Sequence, residues 1–105
     1  MNIKYLLNGV KLSEKEDEYL EKRIKKVGKF FKNCKQPDEL RLEVDINQDK
    51  KTFWRVEIML RTPRKTFRVE KINKEFMMTV DDVMEALLKQ LRRYKDKMVT
   101  ISRNG

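Results

Sequence analysis

Residues 40–70, LRLEVDINQDKKTFWRVEIMLRTPRKTFRVE, alternate apolar and polar side chains in three runs. The runs cover residues 40–47, 53–61 and 67–70, and the short segments QDKK and TPRK separate them. Alternation with a period of two is typical of strands that bury one face and expose the other. Links of this length favour antiparallel hairpins. We therefore predict three consecutive antiparallel strands.

The N-terminal segment predicts a further strand and a helix. Residues 2–6 place Ile3 and Tyr5 on one face of a short strand, and Asn8-Gly9 follows as a turn. A helix then begins at a capping box, in which a serine is followed by a glutamate three positions later, and it ends near residue 33. The capping residues are Ser13 and Glu16, and the apolar stripe of this helix is Leu20, Ile24, Val27 and Phe31.

A second helix is predicted over residues 75–97. Its predicted inner face consists of Met77, Val80, Met84, Leu87, Leu88 and Leu91. The element order is then β-α-β-β-β-α, which favours an α+β two-layer sandwich: a four-stranded sheet with both helices packed on one face. Residues 1–97 form the predicted domain, and residues 98–105 a short C-terminal tail.

The positive charge is concentrated on the two predicted helices. Lys and Arg number 26 against 17 Asp and Glu, giving a net charge of +9. Residues 22–35 hold seven basic residues and no acid, and residues 86–97 hold five basic residues and Asp96. These two segments carry +7 and +4, so the rest of the chain carries −2. Such a distribution favours an anionic partner, with nucleic acid first and a membrane surface second.

Helical geometry at 100° per residue predicts two outward-facing basic rows. The first is Lys22, Lys25 and Lys29, flanked by Lys26 and Lys32; the second is Lys89 and Arg93, flanked by Arg92 and Lys97. The simpler interpretation is that these side chains are only solvated and that cations near a helix end complement its dipole. Like charges three or four positions apart destabilise a helix, however, and two helices share this pattern. The pattern therefore favours a polyanion site.

Other classes of function find little support in the sequence. Histidine, the commonest general base, is absent, and Ser13 is assigned to a helix cap. Asp81 and Asp82 are neighbours in a helix and therefore do not face each other. We therefore expect no enzymatic activity, metal or cofactor. The open sheet face mixes arginines and carboxylates, which predicts cross-strand ion pairs, and only Phe53 could offer an exposed aromatic ring there. The lone Cys34 and the absence of a long apolar run or signal peptide predict a cytoplasmic protein.

Two longer segments carry a resemblance to a known family. Residues 12–31, LSEKEDEYLEKRIKKVGKFF, and residues 80–97, VDDVMEALLKQLRRYKDK, resemble the helices of the ribosome hibernation-promoting factor and ribosome-associated inhibitor A family, formerly called sigma-54 modulation proteins. The likeness extends from the N-terminus to about Lys97, and Leu91 and Tyr94 occupy matching places in the last helix. The β-α-β-β-β-α order is also that of the family.

The resemblance implies a ribosome hibernation factor without enzymatic activity. Such proteins bind the small ribosomal subunit over the decoding region, where they contact 16S-type rRNA and overlap the positions of mRNA and tRNA. Ribosomes are thereby inactivated and protected in stationary phase or under stress. No small-molecule substrate or membrane is implied. The residues that the resemblance assigns to RNA binding are Lys22, Lys25, Lys26, Lys29, Lys89, Gln90, Arg92, Arg93, Lys95 and Lys97.

Two alternatives remain open at the level of sequence. Two helices layered on a sheet also occur in generic double-stranded RNA-binding domains. A basic helical surface could equally dock an acidic partner protein, which would make the chain an adapter. Their dependence on salt separates these alternatives, because phosphate contacts release counterions and give a steep salt dependence.

Overall fold

The computed structural model describes residues 1–32, 39–49 and 52–104, with side chains through Lys95. The observed elements are strand β1 (Asn2–Asn8), helix α1 (Glu14–Phe30), strands β2 (Arg41–Asp49), β3 (Phe53–Arg61) and β4 (Thr66–Asn73), and helix α2 (Phe76–Asn104). This order confirms the predicted β-α-β-β-β-α arrangement and the α+β class.

The four strands form one mixed sheet in the order β1-β2-β3-β4. β1 is parallel to β2, and the other neighbours are antiparallel. A parallel pair needs a crossover connection, which α1 provides between β1 and β2. Leu42 pairs with Leu60, and Leu60 pairs with Phe67, so the apolar positions of three strands align on one face. Both helices cover this face and form the core with it.

Helix α1 follows its predicted apolar stripe. Leu20, Ile24 and Val27 are buried, and Phe31 is half-buried as the C-cap residue. At the other end, the Ser13 hydroxyl accepts a hydrogen bond from the Glu16 N–H, and the Glu16 carboxylate accepts one from the Ser13 N–H. These bonds confirm the capping box. The helix ends at Phe30, and the predicted end near Asn33 lies outside the described residues.

Helix α2 differs from its prediction at both ends. Met77 was predicted on the inner face, but it is 42% exposed, so that prediction is wrong. Phe76 is buried instead, because its ring packs edge-on against Trp54 with 5.0 Å between centroids. Thr79 and Val83 follow Phe76 at helical spacing and are buried as well. Toward the C-terminus the helix continues through Asn104, so residues predicted to form a tail are helical.

The remaining inward residues of α2 match the prediction. Val80, Met84, Leu87 and Leu91 are buried, and Leu88 is half-buried. Since these positions recur at intervals of three and four, they form the single stripe that an amphipathic helix lays on a sheet. On the opposite side of α2, Lys89 and Arg93 are exposed to solvent.

Candidate nucleic-acid interface

The residues predicted to bind RNA lie on the solvent side of the two helices. Lys97 belongs to α2, but its side chain lies outside the described part. The other predicted side chains are all exposed, and we call them together the basic helical face. They are Lys22, Lys25, Lys26, Lys29, Lys32, Lys89, Gln90, Arg92, Arg93 and Lys95.

Complementation of the helix dipole does not account for this face. The dipole acts on charges within the last turn of a helix. In α1 only Lys29 occupies the last turn, whereas Lys22, Lys25 and Lys26 lie further from the end. In α2 the last turn is near Asn104, well beyond Arg93. The charge is therefore placed where it costs helix stability without a compensating dipole effect.

The cations of the basic helical face are also not neutralised by carboxylates. Within the described residues, ion pairs take their cations from Arg23, Arg55 and Arg68, none of which belongs to this face. Glu21 and Glu85 stand four positions before Lys25 and Lys89, a spacing that can support a helix ion pair, yet neither forms one. The ammonium and guanidinium groups therefore remain available to an external anion.

A groove between α1 and α2 brings the two basic rows together. Lys26 of α1 and Arg92 of α2 both line it, and the groove has a volume of about 360 Å³. Its other lining residues are Arg23, Asp81, Met84, Glu85 and Leu88. The groove therefore carries one exposed cation from each helix, together with the Glu85 carboxylate and the Arg23–Asp81 pair.

A polar cluster fixes the two helices on either side of this groove. The Arg23 Nη2 atom of α1 lies 2.6 Å from the Asp81 Oδ1 atom of α2, and the Tyr19 hydroxyl donates a hydrogen bond of 2.5 Å to the same oxygen. This hydrogen bond is the main cause that raises the pKa of Tyr19 above its ordinary value, and burial raises it further. Tyr19 and Arg23 stand four positions apart, so they share one side of α1. Asp81 therefore holds α2 to α1 through two donors.

The far end of the basic helical face rests on aromatic side chains. The Lys95 Nζ atom lies 6.0 Å from the centroid of Phe30, which links α2 to the end of α1. Tyr94 packs edge-on against Phe67 at 5.4 Å. The Lys65 Nζ atom, from the β3–β4 turn, lies 5.0 Å from the Phe67 ring and 5.4 Å from the Tyr94 ring. Cations over aromatic rings are attracted to them while they keep exposed hydrogen-bond donors.

Two basic residues at this site were missed by reasoning from the sequence. Arg23 lies on the side of the apolar stripe of α1, and its partner Asp81 is far away in the chain. Lys65 belongs to a segment interpreted only as a hairpin turn. The four-residue spacing of Tyr19 and Arg23 indicated only weakly that this side of α1 contacts another helix. No local pattern indicated that Lys65 reaches Tyr94.

The open face of the sheet is electrostatically mixed, unlike the basic helical face. Asp45 lies opposite Glu57, and Glu57 lies opposite Glu70, so an acidic row crosses three strands. The predicted cross-strand ion pairs are present as diagonal contacts, Arg55 with Glu70 at 4.0 Å and Arg68 with Glu57 at 3.9 Å. These are long, exposed pairs that contribute little to stability. Because arginines lie beside this row, the open face does not form a uniformly basic surface for phosphate.

Phe53 points outward on the open face, as predicted, and is 40% exposed. The Lys74 Nζ atom lies 5.9 Å from the centroid of its ring. Among the residues that the structure describes, no three His, Cys, Asp or Glu side chains are grouped as metal ligands. Cys34 lies outside those residues. None of the described helices combines the length and apolar character needed to cross a bilayer.

Comparison with known proteins identifies the family. The model of the family described as "Sigma 54 modulation protein / S30EA ribosomal protein" matches residues 3–99. The chain belongs to this family. The match includes both helices of the basic helical face through Lys95 and all four strands. The resemblance noted in residues 12–31 and 80–97 is thereby confirmed.

Two solved structures of other proteins share the fold of this S30EA family member. A ribosomal subunit interface protein from Coxiella burnetii has 24% sequence identity and a TM-score of 0.73, over 91% of this chain and 99% of that one. The Protein Y N-terminal domain from Thermus thermophilus has 23% identity and a TM-score of 0.69, over 90% of this chain and 99% of that one. At such identities the comparison establishes a common fold.

Proposed function

We propose that this protein is a ribosome hibernation factor that binds the small ribosomal subunit at the decoding region. In this position it blocks the binding of mRNA and tRNA and keeps ribosomes inactive and protected in stationary phase or under stress. Family membership supports the proposal. A protein described as a ribosomal subunit interface protein also shares this fold. The protein acts by occupancy rather than catalysis, in the cytoplasm where ribosomes are found.

The observation that carries the proposal is the groove shared by Lys26 and Arg92. Folded rRNA presents phosphates from several neighbouring strands. A protein that binds such a surface needs cations at fixed positions on more than one helix or strand. Two helices joined through Asp81 provide such a fixed arrangement. The unpaired cations on either side of the groove extend the contact along the RNA backbone.

The two faces of the molecule also favour one orientation on the ribosome. The basic helical face attracts phosphate, whereas on the open face the acidic row of Asp45, Glu57 and Glu70 offsets the charge of the neighbouring arginines. We therefore place the helices against 16S-type rRNA, with the open sheet face turned away from the closest phosphates. Lys97 and the basic helical face are the proposed rRNA contacts.

Sedimentation with purified small subunits and whole ribosomes tests this proposal. We expect the wild-type protein to co-sediment at physiological salt and to be released by excess mRNA with tRNA. The double variant Lys25→Glu, Lys29→Glu reverses two exposed charges on α1, and it should lose binding while retaining its fold. The matched control Arg41→Glu, Arg61→Glu makes the same charge change at exposed positions in β2 and β3, and it should bind as the wild type does.

Each competing function gives a different result in the same assay. Equal affinity for free duplex RNA and for ribosomes would identify a generic double-stranded RNA-binding domain. Affinity that hardly changes with salt would identify an adapter for an acidic protein, since phosphate contacts are strongly salt-dependent. Wild-type binding by Lys25→Glu, Lys29→Glu would show that the basic helical face is only a solvated surface.

A further inference from the structure

Strand β1 exposes three apolar side chains beside the core. Ile3, Tyr5 and Leu7 are 42%, 38% and 45% exposed. Their partners in β2, which are Leu42, Val44 and Ile46, are completely buried beneath the helices. Paired residues of neighbouring strands point to the same side of a sheet. The apolar row of β1 is therefore a continuation of the core surface that the helices leave uncovered.

The same three residues carry the backbone groups that β2 does not use. The Asn2 N–H donates to the Leu40 carbonyl oxygen at 2.9 Å. In a parallel ladder alternate residues bond to a given neighbour, so every second residue from Asn2 onward bonds to β2. The N–H and C=O groups of Ile3, Tyr5 and Leu7 then point toward the outer edge. β1 is the terminal strand of the described sheet, so this edge is free of any described strand.

β1 has fewer of the features that usually protect a sheet edge than β4 does. Natural edge strands avoid pairing through charged side chains, proline or bulges. β4, the other edge, carries Arg68, Glu70 and Lys71, whereas Lys4 is the single charged residue of β1. β1 also pairs with β2 in register over all seven of its residues, without a bulge. It is therefore the edge that can accept another strand.

We propose that β1 pairs antiparallel with β1 of a second copy of this chain, about a two-fold axis at Tyr5. The sequence Asn2–Asn8, NIKYLLN, is self-complementary in this arrangement. Residues whose numbers sum to ten lie opposite each other, so Ile3 faces Leu7 of the second copy and Tyr5 faces its own counterpart. Asn2 likewise faces Asn8 of the second copy at the ends. The result is a continuous eight-stranded sheet built from two four-stranded sheets.

Hydrogen bonding and side-chain packing agree on this register. Ile3, Tyr5 and Leu7 direct their N–H and C=O groups outward, so they form the hydrogen-bonded pairs, each of which exchanges two N–H···O bonds. Their side chains all lie on the helix side of the sheet and form one apolar row across the two-fold axis. Lys4 lies opposite Leu6 of the second copy, so no like charges oppose each other.

A second copy fits this edge better than a strand of different composition. The charged pattern of β4 would place Arg68 or Glu70 against apolar residues of β1, whereas β1 itself supplies Leu7 and Tyr5. A two-fold contact of this kind uses the same patch on both partners. Pairing along one short strand buries less than the roughly 1,200 Å² of a stable complex, so the dimer is weak and depends on concentration.

Salt acts on this dimer in the opposite direction to its effect on RNA binding. Each copy carries a net charge of +9, and salt screens the repulsion between two such chains. Raising the salt concentration therefore strengthens the dimer, whereas it weakens contacts to phosphate. The proposal does not rest on ribosome binding, and loss of one interaction leaves the other to be measured separately.

Sedimentation equilibrium of the whole chain over a range of protein and salt concentrations tests the proposal. We expect a monomer–dimer equilibrium that shifts toward dimer with added salt. Tyr5→Lys places two ammonium groups at the two-fold axis and should abolish the dimer. Ile72→Lys changes an exposed apolar residue, 58% exposed, in the other edge strand and should dimerise as the wild type does. A strictly monomeric wild type at millimolar concentration, or equal loss in both variants, overturns the proposal.

Cross-linking gives a readout that holds even where Tyr5→Lys fails to fold. A hydrogen-bonded antiparallel pair has its Cα atoms about 5.5 Å apart, which lies within the range of a disulfide. In a Cys34→Ser background, Tyr5→Cys should form an intermolecular disulfide on mild oxidation, and Ile72→Cys should not. Absence of the Tyr5→Cys cross-link, or equal cross-linking of both variants, contradicts pairing at β1.

Discussion

Arg23 and Asp81 form the ion pair that joins α1 to α2, with 2.6 Å between Nη2 and Oδ1. The Arg23 Nε atom is buried and has no hydrogen-bond partner among the described residues, so Asp81 is the group that compensates this guanidinium. The Tyr19 hydroxyl donates to the same carboxylate oxygen. The spacing of the two basic rows therefore depends on one acidic side chain that itself carries the opposite charge to the surface around it.

Asp81→Asn should lower the free energy of unfolding by about 1 kcal/mol, because a hydrogen-bonded pair with charge is lost but both partners are partly exposed to water. Urea unfolding monitored by Trp54, the single tryptophan of the chain, measures this change. Asp82→Asn is the matched control, since it removes the neighbouring carboxylate, which forms no ion pair within the described residues. Equal effects of the two variants would contradict the role assigned to Asp81.

The Tyr19 hydroxyl should make stability fall at high pH. Its hydrogen bond to Asp81 raises the pKa of Tyr19 above 10.0, so the folded protein holds this proton more tightly than the unfolded chain does. The stabilisation is complete below the ordinary tyrosine pKa of about 10 and is lost as pH rises through the folded-state pKa. Tyr19→Phe has no such proton to lose.

Urea unfolding of the wild type and of Tyr19→Phe, from about pH 8 to above pH 10, separates this effect from the titration of lysines, which both proteins share. The wild type should be the more stable of the two at the lower pH, and the difference should shrink as pH rises. A difference that stays constant across this range would show that the hydroxyl bond is not linked to the tyrosine proton.

Much of the fold could be predicted because its signals are local. The period-two alternation of residues 53–61 and the capping box at Ser13 depend on neighbours in the chain, and both agree with the structure. The side of α2 that faces inward at its first turn is not determined by neighbours in the chain. Phe76, Met77 and Met78 are consecutive apolar residues, and the contact of Phe76 with Trp54 decides which of them faces inward.

The candidate site was also predictable only in part, because some of its features depend on local sequence and others on tertiary contacts. Which side chains point away from the core follows from helical geometry, and the two basic rows predicted in this way are exposed through Arg93, whereas Gln90 and Lys95 were assigned by the family resemblance. The groove lined by Lys26 and Arg92 depends on the distance between α1 and α2. Tertiary contacts, such as that of Arg23 with Asp81, set this distance. No pattern within either helix specifies that distance.

Neutralising Lys26 or Arg92 should reduce both the affinity for ribosomes and its salt dependence. A cation that contacts one phosphate contributes somewhat less than one to the slope of log K against log salt. Lys26→Gln and Arg92→Gln should therefore each lower the slope by about 0.7 to 0.9. Because both residues line one groove, the double variant should show a non-additive loss of affinity.

Titration of each variant with small subunits at several salt concentrations measures these slopes. Arg41→Gln removes one exposed cation from β2 and serves as the control, with an unchanged slope expected. A slope reduced equally by Arg41→Gln would mean that the dependence reports overall charge rather than contacts in the groove.

Substitution of two glycines by alanine should change stability in opposite directions. Gly9 has φ of +66°, a conformation that costs an L-residue about 1 kcal/mol or more, so Gly9→Ala should destabilise the protein by that amount. Gly28 lies inside α1, and a Cβ atom added there would meet only the Met1 Cε atom at 4.0 Å, an ordinary contact. Gly28→Ala should therefore stabilise the protein by about 0.5 to 1 kcal/mol through helix propensity.

The hydrogen bond from the Phe31 N–H to the Gly28 carbonyl oxygen uses backbone atoms alone, so Gly28→Ala retains it. Thermal unfolding of the two single variants and the wild type gives the sign of each effect without a model of the unfolded chain. Destabilisation by Gly28→Ala would mean that the C-terminal turn of α1 needs the conformational freedom of glycine at this position. Stabilisation would show that residue 28 has an ordinary helical conformation, in which alanine loses less conformational entropy on folding than glycine does.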